Sequence, residues 1–390
     1  AVDVISEIGV VDGYTGGDFK PTDVLTRGAA AKIICNLILG PTTASALSAS
    51  SAPFKDVPVS NTFAGYITYC AQEKIINGYS DGTFRPTATL SGNAFMKMLL
   101  GALGYDSAVE GYTGPNWSVA VIKQAAGIGL DDGNDEFVGS KAVTRQEAAL
   151  YAFNMLQTTM VEYDAKTSVD INGATVTIAG DKAKEVENTS RTDGYIDDDN
   201  KMQFAERYFT DLRLTTDTTD DFGRPATKWT WKSESVGTYA DAADLSYTKA
   251  VKAGDIYKDL NLSDTVAAKN VTVWVNGEQV SAASLDIKKG SETKIGAKLY
   301  DDKNGTNGNG VLTEVFYDDV ADTMVITQIV TYIGEVAKTV KATDKRDAYV
   351  VITAKTGDNN AYTMPKDSKG IKASPLEFET DETFADDTYV

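Results

Sequence analysis

One outline occurs three times in the first 160 residues, and no other feature limits the fold as tightly. "GYTGGDFKPTDVLTRGAAAKII" starts at Gly13, and "GYSDGTFRPTATLSGNAFMKML" starts at Gly78, 65 positions on. "DDGNDEFVGSKAVTRQEAALYA" starts at Asp131, 118 positions after Gly13. Ordered self-similarity at this period marks an array in which no unit buries its apolar face alone.

Each outline ends in a helix start. Thr144-Arg145-Gln146-Glu147 reads as a capping box, and Thr26 and Ser91 hold the same cap position without the returning Glu. Behind each cap runs one apolar stripe at i, i+3, i+4, i+7, i+8, the period of a half-buried helix. It is Ala30, Ile33, Ile34, Leu37, Ile38 in the first copy. It is Phe95, Met98, Leu99, Ala102, Leu103 in the second and Ala148, Tyr151, Ala152, Met155, Leu156 in the third. "AVDVISEIGVV", "YITYCAQEKII" and "VAVIKQAAGIGL" predict a shorter helix before each loop. Phe19, Phe84 and Phe137 are expected to fold inward and close the two helices, with Gly13 and Gly78 supplying positive φ at the exit of the first.

Charge and composition remove several functions. The chain of 390 residues carries a net charge of −19, which repels nucleic acid. Residues 1–160 hold 15 acids and 10 bases, so most of the excess lies in the later part. Histidine is absent, which removes the commonest general base and zinc ligand. Cys35 and Cys70 sit among apolar residues at helical spacing and read as buried free thiols, with a disulfide or a reactive site as the lesser alternative. No apolar run approaches the ~20 residues of a membrane span. No signal peptide is visible, and Ala1 in place of Met fits a processed or truncated start.

The second copy, with "FKDV" at Phe54–Val57, the aromatic before its first helix and "GYSDGTFRP", resembles a surface-layer homology domain. That family carries Phe-x-Asp-Val, Gly-Tyr-x-Asp-Gly-Thr-Phe-x-Pro and Thr-Arg-Ala-Glu, usually in three tandem copies. The resemblance implies a three-pronged bundle whose grooves bind a secondary cell-wall polysaccharide, often pyruvylated. It implies glycan contact by Arg27 and Arg145 at the Arg position, where the second copy has Gly92. Asp81, Gly82 and Thr83 match its Asp-Gly-Thr, Gly17 stands in the corresponding stretch of the first copy, and Asp56 matches the Asp of the opening. Trp117 and Phe63 lie near the aromatic before the first helix, placed either to stack on a sugar or to pack in the core. The physics is compatible. A helix N-terminus favours a carboxylate, and Arg at the first helical turn opposes the dipole unless it has another partner. Because the first copy lacks the Phe-x-Asp-Val opening, the chain is expected to begin inside a repeat.

From about residue 164 the pattern turns to β-branched alternation. Asn172-Gly173 and Asn276-Gly277 are hairpin signals. "AKLYDDKNGTNGNGVLTEVFYDD" reads as two strands joined by a long Gly/Asn loop, "TMVITQIVTYIGEVAKTV" and "DAYVVITAK" as further strands, and "YADAADLSYTKAVKAGDIYKDL" as holding a short helix. Asp301, Asp302, Asn304 and Asn307 group oxygen atoms that suit Ca²⁺, but their spacing is not an EF-hand's and turn formation accounts for them. Asp197-Asp198-Asp199 reads as a solvated turn. No Walker loop or dinucleotide fingerprint occurs. The expected fold is multidomain α+β. An all-α pseudo-threefold bundle of three repeats (1–48, 49–106, 107–163) precedes β-rich, sandwich-like parts at 164–320 and 321–390, with more chain to follow. The expected function is structural: a non-enzymatic surface protein of a Gram-positive-type bacterium, anchored to wall polysaccharide and assembling with copies of itself into a layer or filament. A wall-anchored enzyme or adhesin acting on an external glycan is the alternative.

Overall fold

The computed structural model describes residues 1–14, 17–164, 167–171, 174–178, 182–188, 195–197, 199–295, 311–330, 334–343, 346–354, 376–380 and 382–389. The chain forms two compact units, Ala1–Thr216 with Thr227–Tyr239, and Asp217–Ala226 with Ala240–Val390. Helices dominate the early chain and small sheets the later part, in keeping with an α+β class.

In the first unit the helices are α1 (Val2–Glu7), α2 (Arg27–Leu39), α3 (Pro41–Ser45), α4 (Ala64–Gln72), α5 (Gly92–Leu103), α6 (Trp117–Gly127), α7 (Arg145–Gln157) and α8 (Phe204–Tyr208). The caps lie where the sequence puts them. Thr26 accepts from Ala29 N and Ser91 from Ala94 N, while Thr144 and Glu147 complete a capping box. The three stripes are buried along their length, apart from the half-buried Ile38. At about 25 cal/mol per Å² of apolar surface removed from water, these faces are the main reason the helices form.

The loops between helices interlock. Leu25 N donates to Val143 O, Val143 N to Leu90 O, and Leu90 N to Leu25 O, each at 2.8–2.9 Å, so three backbone bonds close a triangle. Arg27, Gly92 and Arg145 then each donate an amide to the neighbouring loop, at Ala88, Lys141 and Asp23. Helix packing follows the same cycle: α2 lies on α4, α5 on α6, and α7 on α1. Each long helix thus buries its stripe against the short helix of the next outline. Helix period specifies an apolar face but does not say what covers it.

Gly13 and Gly78 do not take positive φ. The left-handed exit from each first helix falls at Gly9 (φ 74°), Lys74 (φ 60°) and Gly129 (φ 73°), where amides fold back onto the last turn. Gly78 is needed for room instead. A Cβ there would lie 2.4 Å from Phe54 Cε1, and Phe54 stacks on the buried Phe84 at 5.3 Å between centroids.

The change of texture near residue 164 is not the edge of this unit. Phe204, Ala205, Phe209, Leu212 and Trp229 are buried in the same core as the helices. Trp229 meets Phe153 of α7 edge-on at 5.2 Å. Strand pairs Val161–Glu162 with Lys184–Glu185, and Thr167–Ile171 with Ala174–Ile178, are antiparallel, the second as the first Asn-Gly signal predicts. The turn residues Asn172 and Gly173 lie outside the described residues. A further three-stranded sheet runs Leu212–Thr219, Pro225–Trp231, Glu234–Ala240.

The second unit centres on a five-stranded sheet. Its central strand Thr323–Val330 pairs antiparallel with Val311–Asp318 and parallel with Val271–Val275. Residues 297–310, the strand and Gly/Asn loop expected before Val311, lie outside the described residues. Val271–Val275 returns antiparallel as Glu278–Val280 through Asn276 (φ 49°) and Gly277 (φ 81°), the backbone of the predicted tight hairpin. The expected short helix is α9 (Ala253–Asp259), whose Ile256 and Tyr257 are buried with Val273, Val315 and Ile326. Gly334–Val340, Tyr349–Ala354 and Leu376–Glu379 form a separate three-stranded sheet. A parallel pair and sheets of two to five strands are not what a simple antiparallel sandwich reading anticipates.

Candidate functional site

Arg27 and Arg145 occupy the same geometry in two places. Arg27 donates from Nε to Phe84 O at 2.8 Å and from Nη2 to Asn77 O at 3.1 Å. Its guanidinium lies 4.3 Å from the Phe84 ring centroid and 5.0 Å from that of Tyr79. Arg145 donates from Nε to Phe19 O at 2.8 Å and from Nη2 to Asp12 O at 2.7 Å, over the Phe19 and Tyr14 rings at 4.8 and 4.7 Å. The loop carbonyls and ring faces offset the unfavourable dipole at the first helical turn. Burial works against the Arg27 charge. Both guanidinium groups are half-buried and bridge their own helix to the loop of another outline.

The third equivalent position cannot do this. A Cβ on Gly92 would sit 2.9 Å from Phe137 Cε2 and 3.3 Å from Gly139 Cα. The Phe137 ring occupies the space into which a side chain would grow.

Beside Arg27 opens a groove of about 440 Å³, lined among others by Tyr79, Ser91, Lys97, Tyr112 and Trp117. Arg27 and Trp117 are therefore brought together. Lys97 Nζ donates to Tyr112 O at 2.7 Å and lies 5.5 Å from the Trp117 ring centroid. Partial burial lowers the Lys97 pKa. Tyr112 is 1% exposed, and its buried hydroxyl has no hydrogen-bond partner among the described residues. Desolvation pushes that hydroxyl's pKa up.

Sequence reasoning missed Lys97 and Tyr112. A signal for the first existed: Lys32 and Lys97 stand 65 positions apart, at the same place in their outlines, and the third copy has Leu150 there. Lys32 pairs with Asp12 at 2.9 Å. A second opening, of about 540 Å³, is lined by Gly92, Phe137, Lys141, Glu147, Leu150 and Tyr151 among others and carries no guanidinium.

The other expected contacts lie elsewhere. Asp56, Asp81, Gly82, Thr83, Phe63 and Gly17 do not line the Arg27 groove. Asp56 accepts from the amides of Phe84 and Arg85, both at 2.7 Å. Desolvation raises its pKa, but those amides outweigh it and leave the carboxyl below its ordinary value. Asp81 accepts from the Thr83 hydroxyl at 2.6 Å, the Thr83 amide at 2.9 Å and Arg85 Nη2 at 3.0 Å. The Thr83 hydroxyl, then its amide, then Arg85 hold the Asp81 pKa at about 2. Gly82 (φ 81°) and Gly17 (φ 93°) turn corresponding loops, each with its amide donating to a tyrosine carbonyl, Tyr79 or Tyr14. Phe63 packs against Gly28, where a Cβ would come within 2.6 Å of the ring. Asp301, Asp302, Asn304 and Asn307 lie outside the described residues. Among the described residues no group of three or more His, Cys, Asp or Glu side chains could hold a metal.

Two predictions follow from these carboxylates. Asp56→Ala leaves the Phe84 and Arg85 amides without their acceptor and is expected to cost about 1–3 kcal/mol, read as a lower urea midpoint. Asp81 has a depressed folded pKa, so its contribution is complete above the unfolded value of 3.8 and is lost as pH falls through about 2. The urea midpoint of Asp81→Asn is therefore expected to fall less steeply than that of the unaltered chain across this range.

Comparison with known proteins agrees with this part of the chain. Residues 53–92 match the S-layer homology domain family, so the chain carries an S-layer homology domain. A surface layer protein of Brevibacillus choshinensis is 26% identical over 129 residues, 33% of this chain and 11% of that protein. A cellulosome-anchoring protein of Acetivibrio thermocellus is 42% identical over 79 residues, 20% of this chain and 17% of that protein. An endoglucanase of a Bacillus species is 31% identical over 105 residues, 26% of this chain and 11% of that protein. The chain thus spans less than a fifth of each of these relatives.

Proposed function

We propose that this cell-surface protein, with its S-layer homology domain, is held to the wall by a ring of three such repeats that grip an acidic wall polysaccharide without a covalent bond. The observation that carries this reading is the groove in which Arg27 and Lys97, both partly buried, face one space beside Trp117. A sugar carboxylate, such as a pyruvate ketal, would meet the remaining donors of a fork and an ammonium in a low dielectric. The sugar's apolar face would lie against the indole. Arg145 and Lys32 hold the equivalent positions of their outlines and offer a second, more solvated pair, with Lys32 already paired to Asp12. The Gly92 side, without a cation at either equivalent position, binds acid poorly. The later, acidic part of the chain faces outward and contacts copies of itself, and the role is structural rather than enzymatic.

Sedimentation with purified wall sacculi tests the anchor. The full chain should pellet with them and remain in solution once the polymer has been extracted. Equal pelleting with stripped sacculi would refute it. Lys97→Met keeps the stem over Trp117 but removes the charge, and is expected to weaken binding about tenfold. The endoglucanase relative favours a rival reading, a wall-anchored enzyme. Regular sheets or fibres of purified protein under the electron microscope would support the layer, and hydrolysis of a soluble glucan would support the rival.

A further inference from the structure

The two cysteines take no part in the proposed anchor, yet they lie together. Cys35 is on α2 and Cys70 on α4, 35 positions apart, and they are the only cysteines of the chain. Both are fully buried, with their sulfurs 3.5 Å apart. Each reaches across to the other helix. Cys35 Sγ lies 3.5 Å from Tyr66 O and Cys70 Sγ 3.6 Å from Ala31 O. Sulfurs in contact, each against the opposite helix's backbone, mean two helices in the close approach a disulfide requires. Joining the sulfurs at about 2.05 Å takes a closure of roughly 1.5 Å, within reach of χ1 rotation and a small helix shift.

We propose that Cys35 and Cys70 form a disulfide that joins the first outline to the second when the chain folds outside the cell. This rests on the cell-surface reading, because such a bond persists only beyond the reducing cytosol. The chemistry is exchange with a small-molecule or enzyme-borne disulfide. One cysteine thiolate attacks that disulfide and releases one thiol, forming a mixed disulfide. The second cysteine thiolate then displaces the remaining donor sulfur. Two protons leave the cysteines, two electrons pass to the donor, and the donor departs as two thiols. Once the domain is folded the reaction stops in either direction. Contact with Cys70, and then burial, push the Cys35 thiol pKa up, and neither sulfur is open to a reagent. The bond therefore belongs to folding. It would tie α2, two turns beyond Arg27, to the neighbouring outline and so brace the groove described above.

The test uses the full chain, unfolded, reduced, and refolded in mixed oxidised and reduced glutathione. After denaturation, thiols are titrated with a chromogenic aromatic disulfide, and intact mass is measured without reductant. The expected result is no free thiol, a monomer lighter by two hydrogens, and a thermal midpoint about 5–10 °C above the reduced form. The Cys35→Ala/Cys70→Ala chain should fold, by circular dichroism, and show no such difference between the two buffers. Chain already folded in the reduced state should keep both thiols in oxidised glutathione for hours. Two titratable thiols in correctly refolded chain would overturn the proposal, as would a disulfide that does not raise the midpoint. Wall binding is not part of the readout, so failure of the anchor and failure of the disulfide are told apart.

Discussion

Replacing Arg27 and Arg145 together by alanine is expected to lower retention on wall sacculi by at least about a hundredfold while most helical signal persists. In the proposed anchor each guanidinium would supply a charge-assisted contact worth about 1.5–3 kcal/mol, or roughly ten- to a hundredfold in affinity. If the two sites of the proposed anchor hold one polymer together, losing both would cost more than losing either. The same side chains also bridge to Phe84 O, Asn77 O, Phe19 O and Asp12 O. Water can reach parts of these half-exposed sites, so the stability cost is expected to be about 1 kcal/mol per site. The two roles separate experimentally. Arg27→Lys keeps the charge but not the fork, so it should retain part of the binding and little of the bridge. A double alanine variant that melts several degrees lower yet pellets undiminished would leave the arginines as structural clamps only.

The second large effect is on stability. Gly78→Ala is expected to cost about 3 kcal/mol, because a Cβ placed 2.4 Å from Phe54 and 2.9 Å from Thr83 O must displace both a stacked ring and the backbone. Gly13→Ala, the same position of the first copy, should be nearly neutral, since its nearest neighbour is Gly17 O at 3.4 Å and its φ is not positive. Paired urea titrations give the contrast directly. Equal midpoints for the two variants would show that Phe54 moves aside easily. A large loss in Gly78→Ala would also explain why the Phe-x-Asp-Val opening and the Gly-Tyr turn occur together. Asp56 caps the loop and Phe54 fills the space over Gly78, so one segment shapes the other.

Much of the helical part was legible because its causes are local. A hydroxyl before a run of apolar residues at helical spacing dictates where α2, α5 and α7 begin and which face is buried, whatever covers that face. The Asn276-Gly277 turn is likewise a property of two residues that tolerate positive φ. The motif also pointed to Arg27, Arg145 and Trp117, of which Arg27 and Trp117 line one groove. Lys97 went unnoticed because a lysine on a helix is ordinarily a solvated charge, and only its neighbours make it a desolvated one.

From the chain of letters alone came the tripled outline, its caps and stripes, the absence of histidine chemistry and the turn to strands near residue 164. Tertiary structure decided the partners: α2 on α4, Phe137 in the space over Gly92, Lys97 over Trp117, Cys35 against Cys70, and Phe204 to Trp229 within the helical core. The division has one physical reason. Periodicity and capping act over a few residues and are written in order, whereas contact between distant segments depends on which surfaces meet when the ring of loops closes.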